Sequence, residues 1–249
     1  MLSNDNITVA RNLSGELLSV TSEKYAKVLS GFFKTKKGEY AEGDKFLGIK
    51  VPRIRQLVKK YCNNATFADI DNLTKSEWHE IRLAGFLLLV EQYSIANKKN
   101  DIQKLDTIIQ FYLSISTRAN NWVLVDLTAP KILGHWIIKN PQKASILYTL
   151  ADSENLWQQR ISIVATLCLV KNNIFNHTMI LAQQLLSHDH DLIHKAIGWL
   201  LREVGKKDLN LLEKFLQENA NIMHRTTLRY AIERMPKEKK EYYMSIHKN

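Results

Sequence analysis

Asp126 is the residue whose surroundings most need explaining. It lies in Trp122-Val123-Leu124-Val125-Asp126-Leu127-Thr128, flanked by apolar side chains. A carboxylate buried without a partner is costly, so Asp126 must be paired, exposed on a concave surface, or protonated. Trp122 is one helical turn earlier and shares its face. Arg160, 34 residues later, is the natural partner, with Trp157 just before it. Lys195 and Trp199 repeat the spacing of a charged residue and an indole one turn apart. A structural reading stands beside the chemical one. Asp126 could simply be satisfied by Arg160 or a backbone donor, and core packing is the commoner fate of a tryptophan at helical spacing. Because Trp122 and Trp199 share faces with Asp126 and Lys195, both indoles are expected to face the same surface as those charges.

Other arrangements carry less. His188-Asp189-His190-Asp191 with His194 could suggest a metal cluster. The same spacing suits a loop entering a helix, with Asp189 or Asp191 near the N-cap. Zinc sites usually recruit CxxC or HExxH spacing, and neither occurs. No GxGxxG, Walker A or GxSxG motif is present, so neither a metal nor an organic cofactor is expected.

The elements that position these residues are helices. Apolar residues recur at i, i+3, i+4, i+7 in Ser76–Ala96, where Ile81, Ala84, Gly85 and Leu88 form one stripe. Ser76 is the expected N-cap and Asn97 the expected stop. Further helices are expected at 21–34, 52–62, 101–114, 121–139, 142–150, 156–171, 178–187, 192–205, 209–218, 225–235 and 237–247. Pro52, Pro141 and Pro236 fall where a first turn tolerates proline. Glycine (9) and proline (4) are scarce, against about 17 and about 12 at average usage, which favours long helices over a many-stranded sheet. One segment, 34–50, is rich in glycine and charge and is expected to be a loop or a short β-hairpin.

The helices recur. Arg82, Asp126, Arg160, Lys195 and then Arg225 or Arg229 each sit amid apolar residues, at spacings of 44, 34, 35, and 30 or 34. A period of roughly 30–47 with two helices per unit marks an α-solenoid. The expected fold is therefore all-α, a right-handed solenoid of HEAT-like repeats, with one mostly basic residue per inner helix lining a concave groove. No linker is visible, so residues 1–249 are expected to form one domain.

Composition is ordinary for a soluble globular protein, with 45% apolar and 24% charged residues. The longest apolar run, Ala84–Val90, is far shorter than the roughly 20 residues of a membrane span. The first six residues carry neither the basic nor the apolar region of a secretory signal. Cys62 and Cys168 are far apart and outside any CxxC, so buried thiols in a reducing compartment are expected. A cytoplasmic location follows. Net charge is +10 with a pI near 9.5. Eleven basic residues against Glu39, Glu42 and Asp44 put +8 of it between Lys24 and Tyr61, Lys50 and Arg53 among them. Charge so concentrated implies a polyanion partner, most simply nucleic acid. A solvated lysine-rich face, or a scaffold for an acidic protein, is the alternative.

Four stretches carry a family resemblance: Phe46–Pro52 (FLGIKVP), Trp122-x-x-x-Asp126, Leu156–Arg160 (LWQQR) and Lys195–Glu203 (KAIGWLLRE). Together they resemble the HEAT-like repeat DNA alkylation-repair family, the AlkD-like alkylpurine DNA glycosylases, over roughly Tyr25–Met235. The resemblance implies a bacterial, nucleoid-associated monomer acting on duplex DNA that is alkylated or distorted. It implies hydrolysis of the N-glycosidic bond of N3- or N7-alkylated purines. Asp126 would be the catalytic carboxylate, Trp122 and Trp199 the aromatic walls, and Arg160 a contact to backbone phosphate. Lys195, Arg82, Arg202, Lys50, Arg53, Arg225 and Arg229 would be further DNA contacts.

The implied chemistry suits these residue types. An alkylated purine is already cationic, so it leaves without a general acid, and one carboxylate can stabilise the oxocarbenium-like sugar where ordinary glycosidases need two. Aromatic faces attract the cationic nucleotide. The family is understood to leave the damaged base in the duplex rather than flip it. Two features depart from its pattern. Asn121 stands where the family carries another aromatic residue and Val123 replaces a polar one. Residues 34–45 form an insertion, and some relatives with such elements bind branched DNA without excision. A non-catalytic protein that binds branched or distorted DNA is thus the second expectation.

Overall fold

The computed structural model describes residues 8–246. The first six residues, where a secretory signal would begin, and His247, at the expected end of the last helix, lie outside the described residues. Among those described the chain is all-α, 71% helix with no strand, consistent with an α-solenoid of helical repeats. It divides into two compact units, Met1–Leu124 and Val125–Asn249, and the division falls inside a helix rather than in a linker.

The first unit holds α1 (Val9–Leu18), α2 (Glu23–Phe32), α3 (Val51–Tyr61), α4 (Phe67–Thr74), α5 (His79–Lys98) and α6 (Ile102–Ser114). α5 packs against α3, α4 and α6, and is buried without a break from His79 to Val90. The expected stripe is buried, but so are the faces between, because HEIRLAGFLLLV is apolar nearly all round. α5 starts at His79, not after Ser76. Ser76 instead accepts the Trp78 N–H at 3.2 Å, and Trp78 is the cap residue. α1 and α4, not expected from periodicity, are joined by Asp69. Its side chain forms a capping box with Thr66 and accepts the Ala10 N–H at 3.0 Å.

Residues 34–43 are mostly turns, and 46–50 then run without regular structure into α3. The hairpin alternative is not realised: Lys45 makes a single parallel bridge to Trp78. Buried Glu80 organises the end of this segment. Its carboxylate accepts the N–H groups of Leu47, Gly48 and Ile49 at 2.9, 2.8 and 3.1 Å. Gly48 is required there. Its φ is +77°, and a Cβ would lie 2.1 Å from the Ser22 carbonyl oxygen.

The second unit holds the rest of α7 (Trp122–Thr128), then α8 (His135–Lys139), α9 (Ser145–Ala151), α10 (Leu156–Lys171), α11 (Asn176–Gln184), α12 (Asp191–Gly205), α13 (Leu209–Asn219), α14 (Arg225–Ala231) and α15 (Lys237–Ile246). α10 packs on α9, α11 and α12, and α12 on α13 and α14, so neighbours in sequence stack in space. The single helix expected over 121–139 is interrupted. Pro130 has no N–H to give the Asp126 carbonyl, and the chain widens into a π-helical turn at Pro130–Gly134, with Gly134 N–H donating to the Ala129 carbonyl at 2.9 Å. Such bulges gather at functional sites. Cys62 is buried and Cys168 only partly so; both are free thiols.

Candidate functional site

Asp126 is half-buried, with 18% of its side chain exposed, while that of Arg160 is 5% exposed. Arg160 Nε donates to Oδ1 at 3.0 Å and Nη2 to Oδ2 at 2.9 Å. Its Nη1 donates to the Leu192 carbonyl at 2.5 Å. The guanidinium is therefore clamped between α7 and α12, with its donors directed at the carboxylate and the Leu192 carbonyl rather than at the surface where a phosphate contact was expected. A two-pronged pair of this kind fixes the plane of the carboxylate. Each oxygen keeps a second lone pair. Burial, the largest influence, pushes the Asp126 carboxyl up; the Arg160 charge and hydrogen bonds pull it down; it ends above its ordinary value.

Arg160→Ala would leave the carboxylate unpaired and the Leu192 carbonyl without its donor. Loss of about 3 kcal/mol in stability is expected by urea denaturation. A change under about 0.5 kcal/mol would show that the pair does not hold the site.

Trp122, in the first unit, is half-buried at the start of α7. Its Nε1–H donates to the Tyr40 hydroxyl at 3.0 Å. The rings of Phe33 and Phe32 lie 5.3 and 5.9 Å from it. The 34–50 segment thus reaches the indole through Tyr40, a contact no sequence spacing signalled. Asn121 is fully buried and accepts the Val123 N–H at 3.1 Å through its side-chain oxygen. It starts the helix that carries Asp126.

The remaining candidates differ in their freedom. Arg82 is buried, ion-paired with Asp44 and donating to the Ser76 carbonyl at 2.8 Å. Its side chain is buried in these pairings, where a cation lining the groove was expected. His79 Nδ1 lies 3.5 Å from the same Asp44 carboxylate. Burial raises the Asp44 carboxyl, but His79 and Arg82 outweigh it and hold it below its ordinary value. Arg202 pairs with Glu233 and lies 3.6 Å from Glu203. Lys195 pairs with Asp191 at 2.7 Å, and Trp199 is half-buried on the same helix. Lys50, Arg53, Arg225 and Arg229 are exposed. Lys50 lies 6.0 Å from the Tyr25 ring. Gly198 allows this part of α12 to close on α14, since a Cβ would lie 2.5 Å from the Thr227 carbonyl oxygen.

The histidines near α12 have other partners than a metal. His188 Nε2 meets Gln159 Oε1 at 2.9 Å, and its Nδ1 accepts the His190 N–H at 2.9 Å. His190 caps α12, accepting the Leu192 N–H at 3.1 Å, with Asp189 and Asp191 on either side of the cap as the sequence suggested. Among the described residues no group of three or more His, Cys, Asp or Glu could hold a metal ion, and no helix is long and apolar enough to cross a membrane.

Residues 13–235 match the family model described as DNA alkylation repair enzyme. The chain belongs to that family. Membership gives it a role in DNA repair, with DNA as substrate or partner. A solved structure described as a predicted DNA alkylation repair enzyme from Enterococcus faecalis is similar in fold, with a TM-score of 0.68 at 17% identity. The similarity covers 87% of this chain and 97% of that one. No curated protein gives a significant match.

Proposed function

We propose that this member of the DNA alkylation repair family hydrolyses the N-glycosidic bond of N3- or N7-alkylated purines in duplex DNA. The observation that carries the reading is the partly exposed Asp126 carboxylate, gripped at both oxygens by Arg160. It sits beside a break in its own helix, one turn from Trp122. A carboxylate already oriented needs no rearrangement when positive charge develops on the sugar. Arg160 holds it, Trp122 and Trp199 supply aromatic faces, and exposed Lys50, Arg53, Arg225 and Arg229 meet phosphates. The protein acts as a monomer in the cytoplasm, at the nucleoid.

The experiment is release of free 7-methylguanine from methylated duplex DNA, followed against pH with enzyme-free controls. Ionised Asp126 is the working form, and its carboxyl is raised. Release should therefore fall on the acid side with an inflection above the ordinary aspartate value of about 3.9. The same shift sets a sign for stability. The folded carboxyl keeps its proton to higher pH than the unfolded one, so its contribution declines as pH rises through that window. Release independent of pH between about 4 and 7 would remove Asp126 from the chemistry.

The depth of the Asp126–Arg160 pairing also favours a second reading, in which the pair is a structural tie. The protein would then be a non-catalytic binder of branched or distorted DNA. It would bind a four-way junction more tightly than linear duplex and release no base.

A further inference from the structure

The exposed side of α2 has no counterpart in the excision reading. Phe32 is 62% exposed and Val28 58%. They are one turn apart, and Lys24 continues the same stripe a further turn back. Lys27 and Gly31 lie on the adjoining row and are also exposed. A Cβ at Gly31 would meet nothing within 4 Å, so the surface beside Phe32 is bare. Just beyond the helix, Lys34, Lys36 and Lys37 are exposed as well.

None of these five lysines makes an ion pair among the described residues. Glu23, at the far end of α2, stands beside Lys24 and Lys27, but the acids close to Lys34, Lys36 and Lys37 are tied down. Glu39 accepts the Lys36 N–H at 2.8 Å, Glu42 the Gly38 N–H at 2.7 Å, and Asp44 is taken by Arg82 and His79. The result is an accessible aromatic ring and an aliphatic neighbour, fringed at the Phe32 end by the uncompensated ammonium groups of Lys34, Lys36 and Lys37. Phe32 is also backed by other rings: Phe33 lies 5.0 Å away edge-on, and Trp122 5.9 Å.

We propose that this face of α2 binds an unpaired stretch of nucleic acid, with a base stacked on Phe32 and its phosphates on Lys34, Lys36 and Lys37. Duplex DNA cannot use the ring in this way, because its base faces are already stacked on each other. An unpaired base offers a π-face of any sequence, and aromatic rings beside a basic track are how proteins hold single strands. A second copy of the chain is disfavoured, since it would bring the same positive charge to the same surface. The inference rests on DNA as the partner and not on base release at Asp126, so either can fail alone.

The test is fluorescence anisotropy with a labelled oligothymidylate and a blunt duplex of equal length, over a range of salt. The wild type is expected to bind the single strand. Phe32→Ala should weaken that binding about tenfold, and Phe32→Trp should preserve it. Replacing Lys34, Lys36 and Lys37 together by Gln should lower the slope of log K against log salt by about 2. Unchanged single-strand affinity in Phe32→Ala overturns the proposal. So does binding to phosphatidylglycerol vesicles with none to the oligonucleotide, which would give the face to an anionic lipid surface. Should Phe32→Ala fail to fold by circular dichroism, the lysine variant decides, and an unaltered salt slope overturns the proposal.

Discussion

Asp126→Asn should lower single-turnover release of 7-methylguanine at least a hundredfold, roughly the scale of losing one preorganised electrostatic contact in a water-poor site. The substitution keeps the side chain's size. Its amide oxygen can still accept one of the two Arg160 hydrogen bonds now made at 3.0 and 2.9 Å. What disappears is the negative charge that would face the sugar as the base departs. Affinity for undamaged duplex should stay within roughly threefold, because that loss falls on the transition state and not on ground-state binding. Undiminished release by Asp126→Asn would take the carboxylate out of the mechanism. A parallel fall in binding and release would make it a structural residue.

Glu80→Ala should have the largest effect on stability. Three backbone N–H groups, of Leu47, Gly48 and Ile49, converge on this one buried carboxylate. Truncation leaves all three without an acceptor in a place water does not reach. At about 1–3 kcal/mol for each orphaned donor, the loss is on the order of 4 kcal/mol or more, a large part of a typical domain's total stability. Charge-assisted bonds of this kind are about twice as strong as neutral ones. The exposed pair of Lys45 and Glu77 gives the contrast: its removal should cost under about 1 kcal/mol. Urea denaturation decides between them. Equal losses for Glu80→Ala and Glu77→Ala would mean that the Phe46–Lys50 segment is not held as described.

Much of this was readable before any coordinates, and the reasons are local. α10 runs from Leu156 to Lys171 as expected, because Asn155 caps a long uninterrupted run and accepts the Trp157 and Gln158 N–H groups. The 34-residue period paired Asp126 with Arg160 before the ion pair was seen. Charge in an apolar stretch did not reveal that Arg82 is buried against Asp44. The same pattern marks a residue on a surface and a residue buried with a partner, and Asp44 lies far outside any helical window. Tyr40 and Trp122 are likewise 82 residues apart, and no periodicity joins a loop to a helix. Pro130 was a local signal that a continuous helix over 121–139 overlooked. α4 is only eight residues long and carries few periods, although Thr66 and Asp69 mark a capping box; α1 is as long as α2 and its pattern was passed over.

The most direct measurement uses a duplex with a single 7-methylguanine, enzyme in excess, and chromatography of the free base. The wild type is expected to release it in one exponential phase well above the spontaneous rate, under conditions where gel shift shows the duplex bound. A fully bound duplex that loses its base no faster than without protein would contradict excision and leave a repair-family protein that only holds DNA.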